Sequence, residues 1–134
     1  MKLVADTNIL FSFFWENSLT RKLLISSNLE LLSPEKAIVE INKYKKEIKQ
    51  KTNLTEKKFN GFFKELKSII RIIKKEEYYY FLQEARQISP DIGDSEFLAL
   101  CIKYSCALWS NDSALKNQNK IRVFNTDEII NLFI

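Results

Sequence analysis

The sequence predicts an α/β domain of three layers, α/β/α, with helices on both faces of a central, mainly parallel sheet. Three observations carry this reading. Short apolar runs that suit strands alternate with stretches of helical periodicity. Only 2 glycines and 2 prolines occur in 134 residues, too few for an all-β fold built on tight turns. A chain that is 46% hydrophobic and 28% charged has the composition of an ordinary globular protein. Its length suits one core, hence a single domain spanning 1–134.

The elements follow in order. Lys2-Leu-Val-Ala-Asp6-Thr-Asn8 opens with a short apolar strand over 3–6 that stops on a carboxylate, and helices are expected from Asn8 and from Ser18. A strand around 29–32 precedes a helix from Pro34, with Ser33 as cap and the proline at the first helical position. That helix runs on through the lysine-rich 43–51 until Thr52-Asn-Leu-Thr55 breaks it. Thr55 opens the next helix, where Phe59, Phe62, Phe63 and Leu66 recur at helical spacing. The helices of 34–67 read as a protruding arm or clamp. Their aromatic stripe reads as core or a dimer face, not as a base-stacking platform, because no arginine is interleaved. A strand over 69–73 leads to a helix with Tyr78, Leu82 and Ala85 on one face. Pro90-Asp91-Ile-Gly-Asp94 opens a helix with acids in its first turn, where the macrodipole favours negative charge. A brief strand, Ala107-Leu-Trp109, runs into Ser110-Asn-Asp112; a strand over 121–124 and a last helix complete the chain.

Four acids stand apart in this order: Asp6, Glu40, Asp94 and Asp112. Singly, each has an ordinary role, Asp6 and Asp112 as caps, Asp94 as a first-turn charge, Glu40 as a solvated partner of Lys43. Caps explain neither two aspartates at strand ends nor a glutamate inside an otherwise apolar helical segment. Open parallel sheets bind ligands beyond the carboxyl ends of their strands, so the strand-end acids would share one edge. A fold that gathers them would build a divalent-cation site: Mg²⁺ prefers oxygen, keeps several waters, and takes one or two carboxylates plus substrate phosphate.

Exclusions point the same way. With no histidine, the chain has no imidazole base, no Ser-His-Asp triad and no His-bearing zinc or haem site. Its 2 cysteines, Cys101 and Cys106, make no CxxC pair and read as small buried residues. Neither a P-loop nor GxGxxG occurs. A net charge of +4 is modest, but a basic surface around an acidic site suits a polyanionic substrate. The longest largely apolar run, 9–15, falls well below the roughly 20 residues that span a bilayer, and no signal peptide is visible, so a cytoplasmic protein without membrane contact is expected.

In Val4-Ala-Asp6-Thr-Asn8, Glu40, Asp94-Ser-Glu-Phe-Leu-Ala-Leu and Leu108-Trp-Ser110-Asn-Asp112, taken in that order, the chain resembles the PIN domain family in its stand-alone, VapC-like form, over nearly its whole length. The resemblance implies a PIN-like fold and a nuclease that hydrolyses phosphodiester bonds with Mg²⁺ or Mn²⁺. Asp6, Glu40, Asp94 and Asp112 would be its catalytic, metal-holding acids, and Asn8 and Ser110 polar supports for phosphate or ligand orientation. Of two acids three residues apart, Asp94 aligns as the third, because the apolar 97–100 face follows it; Asp91 is then a loop acid behind the ligands. The resemblance further implies a single-stranded RNA endoribonuclease, either a toxin controlled by an antitoxin protein or an RNA-processing enzyme, and a homodimer. The alternative is a PIN-fold module with weak or no turnover that binds RNA or protein. A doubly wound phosphatase is disfavoured: it would want Asp-x-Asp where this chain has Asp6-Thr-Asn8.

Overall fold

A computed structural model describes residues 1–26 and 28–133. Strand β1 (Lys2–Ala5) leads into α1 (Thr7–Phe11), a 3₁₀ turn (Ser12–Phe14) and α2 (Leu19–Ser26). Then come β2 (Glu30–Pro34), α3 (Glu35–Lys43), α4 (Lys45–Thr52), α5 (Glu56–Ile69) and β3 (Ile70–Ile73). After α6 (Lys75–Tyr78), a 3₁₀ turn (Tyr79–Phe81) and α7 (Leu82–Ile88), a third 3₁₀ turn (Ile92–Asp94) starts α8 (Ser95–Tyr104). The chain closes with β4 (Ala107–Trp109), a 3₁₀ turn (Ser113–Lys116), β5 (Val123–Phe124) and α9 (Thr126–Phe133).

The five strands form one sheet in the order β3-β2-β1-β4-β5, and every neighbouring pair is parallel. Helices flank it, giving the α/β/α fold expected. Leu3, Val4 and Ala5 of the central strand are all fully buried, as a strand covered on both faces requires. Helix α8 packs over β1 and β2, and its Phe97, Leu98, Ala99, Leu100 and Cys101 are all buried. The chain winds outward through β2 and β3, then returns to the other side of β1 as β4. The switch point of the sheet therefore lies between β1 and β4.

Several local expectations are corrected. Pro34 is the last residue of β2 and sits at the N-cap, so Glu35 is the first helical residue. Ser33 does not cap the helix; its buried hydroxyl donates to the Ala5 carbonyl at 3.0 Å and ties β2 to the end of β1. The long helix expected through 51 divides at Tyr44 (φ −98, ψ 12). The bend turns Ile48, the one apolar residue of α4, into the core. The helix expected after β3 is likewise interrupted, although Tyr78, Leu82 and Ala85 are all buried. Cys101 is buried, whereas Cys106 is only half-buried; both are free thiols.

The aromatic stripe belongs to the core. Phe59 stacks on Phe14 with ring centroids 4.7 Å apart, and Phe63 meets both rings edge-on. Half-buried Phe62 is covered from α2: the Arg21 guanidinium lies 4.2 Å from the Phe62 and Phe13 ring centres, and Arg21 also pairs with Glu65 at 3.7 Å. These contacts place most of the aromatic face in the core of this one chain. Much of the lysine run is paired as well, Lys45 and Lys49 with Glu56 and Lys51 with Glu47.

Because the Phe14–Phe59 stack ties α5 to the buried 3₁₀ turn after α1, Phe59→Ala is expected to lower global stability by about 3–5 kcal/mol in urea unfolding, with one cooperative transition retained. An unchanged midpoint would mean that the helices of 34–67 stand off the core as an independent arm.

Candidate functional site

Parallel pairing of β1 with β4 sets Ala5 beside Trp109, and the Asp6 N–H donates to the Trp109 carbonyl at 3.2 Å. The next residue of each strand therefore leaves the sheet at the same edge: Asp6 from β1 and Ser110 from β4. Both are buried. The Ser110 hydroxyl donates to the Asp6 carboxylate and accepts the Asp112 N–H at 3.1 Å, so one side chain links two of the acids.

Asp6 and Asp112 are caps, as their single readings expect. Asp6 Oδ1 accepts the Ile9 N–H at 3.0 Å at the start of α1, and Asp112 Oδ1 accepts the Ala114 N–H at 3.0 Å. Asp91 does the same for Gly93 at 2.9 Å. Asp94 differs: it stands at the N-cap of α8 without a side-chain capping bond, so its carboxylate is not spent on the backbone.

The charges show which acids have been brought together. Burial, then the Asp91, Asp112 and Asp6 carboxylates, push the Asp94 carboxyl up to about 6, with the Lys36 ammonium pulling it back. Burial also raises Asp6, and Asp112 adds to this, while bonds from Ser110, Ile9 and Asn8 pull it down. Asp6, Asp94 and Asp112 thus share one field, and Asp91 is the strongest charge acting on Asp94. Glu40 is not among the principal charges acting on Asp6 or Asp94. It joins the site through Thr7, whose hydroxyl donates to Glu40 Oε1 at 3.3 Å; no pairing with Lys43 accompanies it among the described ion pairs.

Among the described residues, no three acidic or cysteine side chains already stand in an arrangement that holds an ion. The donor chemistry nevertheless fits a hard divalent cation, because every group offered is oxygen and the burdened carboxylates would be relieved by positive charge. A further oxygen stands next to Asp94. The buried Ser95 hydroxyl has no hydrogen-bond partner, the only such side-chain atom among the described residues.

Sequence reasoning missed Lys36. Its ammonium donates to the Gly93 carbonyl, in the turn before Asp94, and bridges α3 to that turn. The signal was available, because Lys36 precedes Glu40 by four residues and lies on the same face of α3. Thr7 and Ser95 were also passed over, being small polar residues in apolar or acidic runs.

The raised carboxyl of Asp94 gives a pH dependence of definite sign. Its ordinary value is 3.8, so the folded protein holds this proton more tightly than the unfolded chain does; the stability so conferred is full below 3.8 and lost as pH rises through about 6. In EDTA, the stability of wild type minus that of Asp94→Asn is therefore expected to fall over this window in urea titrations. Lys36→Met is expected to move the midpoint higher. A difference flat with pH would contradict the shared field.

Several solved structures have the same fold. A chain of VapBC2 from Rickettsia felis, crystallised with a DNA fragment from their promoter, superposes with TM-score 0.61 at 16% identity, over 93% of this chain and 98% of that one. A chain of a toxin–antitoxin complex from Klebsiella pneumoniae gives TM-score 0.58 at 18% identity, over 83% of this chain and 87% of that one. At these identities the likeness is one of fold. No curated protein matches the sequence. Among the described residues, no helix is long and apolar enough to cross a membrane. The family model for the PIN domain matches residues 4–128, a span that includes the end of β1 and all four acids, and the chain belongs to the PIN domain family.

Proposed function

We propose that this protein is a divalent-metal-dependent nuclease, an endoribonuclease acting on single-stranded RNA with Mg²⁺ or Mn²⁺. The observation that carries the reading is the convergence of Asp6, Asp94 and Asp112 at the switch point of the sheet, where burial and then the Asp91, Asp112 and Asp6 charges raise Asp94 to about 6, in a chain of the PIN domain family. Asp6, Asp94 and Asp112 would hold the cation, directly or through its waters, with Glu40 reaching it from α3. Such an ion supplies a nucleophilic water at neutral pH and neutralises charge on the scissile phosphate and the leaving oxygen.

The remaining work falls to the side chains. The Ser110 hydroxyl and the Asn8 and Ile9 N–H groups hold the Asp6 carboxylate in place. The backbone caps engage Oδ1 of Asp6 and of Asp112, which fixes both carboxylates without using all of their acceptor sites. Thr7 orients Glu40, and Lys36 fixes the turn that carries Asp94. Asn8, exposed in the first turn of α1, is free to meet a phosphate or sugar oxygen. Asp91 stays behind the ligands as the cap of its turn.

A toxin-type role under an antitoxin is the form of this activity we favour, because solved structures of like fold include VapBC2 and a toxin–antitoxin complex. The cytoplasm, where RNA is found and thiols stay reduced, suits two free cysteines. A homodimer is part of the proposal on family grounds.

The test is cleavage of end-labelled single-stranded RNA and DNA by purified protein in Mn²⁺, Mg²⁺ or EDTA, with Asp94→Asn purified identically as the contamination control. Wild type is expected to cut RNA only with metal, and Asp94→Asn to lose about 100-fold or more, beyond the usual cost of losing a mere supporting residue. Equal cutting by both proteins would overturn the site. No cutting by either, with RNA still bound, would favour a binding module.

A further inference from the structure

A cavity of about 770 Å³ begins where the acid site ends. Asn8 belongs to both: its N–H faces the Asp6 carboxylate, and the residue lies on the cavity wall. From there the wall runs along α1 and the following turn through Phe11, Ser12, Trp15 and Asn17. Phe11 is braced edge-on by Tyr44, ring centroids 6.0 Å apart. Trp15 is 38% exposed, in a protein whose other tryptophan, Trp109, is fully buried. Its backbone is fixed on both sides, its N–H donating to the Ser12 carbonyl at 3.3 Å and its carbonyl accepting the Ser18 N–H at 3.0 Å. The Ser18 hydroxyl closes the same turn onto the Ser12 carbonyl at 2.7 Å. A large aromatic is thus held partly exposed by a rigid turn, where core packing gives it no reason to be.

The wall has the chemistry of a base site. Aromatic faces accept any planar heterocycle, and the side-chain amides of Asn8 and Asn17 each offer a donor and an acceptor. The volume lies within the range of small-molecule sites and suits one nucleotide unit. The one acid on the wall, Glu16, has its charge met by Lys58 at 3.2 Å. The stripe of α5 is spent in the core and serves no such purpose.

We propose that the cavity walled by Asn8, Phe11, Trp15 and Asn17 is a nucleobase subsite, which takes one unpaired base of the strand next to the phosphodiester held at the acids. The inference rests on the nuclease reading for its choice of RNA, but the binding it asserts needs no turnover. An unpaired base is required, since a base inside a duplex has no free face to stack.

The experiment uses full-length Asp94→Asn, so that no strand is cut. Tryptophan emission is followed while a short single-stranded RNA, or an abasic strand of the same length, is added; buried Trp109 supplies a constant background. Affinities are read in parallel by anisotropy of labelled RNA for the parent and for added Trp15→Ala and Trp15→Phe. The expected result is saturable quenching by RNA and not by the abasic strand, with binding weakened about five-fold or more by Trp15→Ala and largely kept by Trp15→Phe. Equal response to the abasic strand, RNA binding without quenching, unchanged binding by Trp15→Ala, or no RNA binding at all would overturn the subsite. Wild-type cleavage is measured separately: metal-dependent cutting with a silent Trp15 sinks the subsite alone, and base-dependent quenching without cutting sinks the nuclease reading alone.

Discussion

Everything at the site depends on two strands far apart in sequence lying side by side in the middle of the sheet. Leu3 pairs with Ala107, Val4 with Leu108 and Ala5 with Trp109. Parallel strands deliver the residues that follow them to the same edge, so this register brings Asp6 and Ser110 together and sets Asp112 within reach of the Ser110 hydroxyl. Asp94 arrives by a different route, at the start of the buried α8 that lies over β1 and β2. Slide β4 by one residue and its side chains would exchange faces; Trp109 would leave the core and Ser110 would no longer meet Asp6. The burial of Leu3, Val4, Leu108 and Trp109 is thus what keeps the acids in company.

Acids so gathered repel, and the fold limits that cost with neutral donors instead of cations. Backbone N–H groups meet one oxygen each of Asp6, Asp91 and Asp112. Capping and metal binding are therefore compatible roles for the same carboxylate, because its two oxygens offer about four lone-pair sites and a cap takes one. The only ammonium acting on Asp94 among its principal neighbours is that of Lys36, itself committed to the Gly93 carbonyl. Negative charge remains in excess at the switch point, which is what a hard cation and, through it, a phosphate would use. The adjoining cavity adds the complementary recognition, aromatic and amide surface where the acids give none.

The fold class and the strand positions were legible because strands buried on both faces read as plain apolar runs, and Leu3-Val-Ala and Ala107-Leu-Trp109 are short but unmixed. The Thr55 cap and the helical spacing of Phe59, Phe63 and Leu66 were equally direct, and all three side chains are buried. The acids were legible by type and order; their distances apart were not, since these depend on strand register and on the packing of α8. The break at Tyr44 could not be foreseen, because a lysine-rich helix gives no local signal to stop and the bend serves the burial of Ile48. Ser33 looked like a cap because serine before proline usually is one, yet its hydroxyl is taken by Ala5 across the sheet. Lys36 was hidden by the opposite habit, that of reading a helical lysine as a solvated charge, and the pocket beside Trp15 by weighing 9–15 only as a membrane span.

The most direct measurement is thermal stability of the wild type at neutral pH across a Mn²⁺ series, beside Asp6→Asn and Asp94→Asn. If the three carboxylates form one cation site, Tm of the wild type rises with metal concentration through linkage, and either substitution removes most of the rise while leaving the metal-free protein as stable or more so. No rise at millimolar Mn²⁺, or the same rise in both variants, would contradict the claim that strand order has built a metal site here.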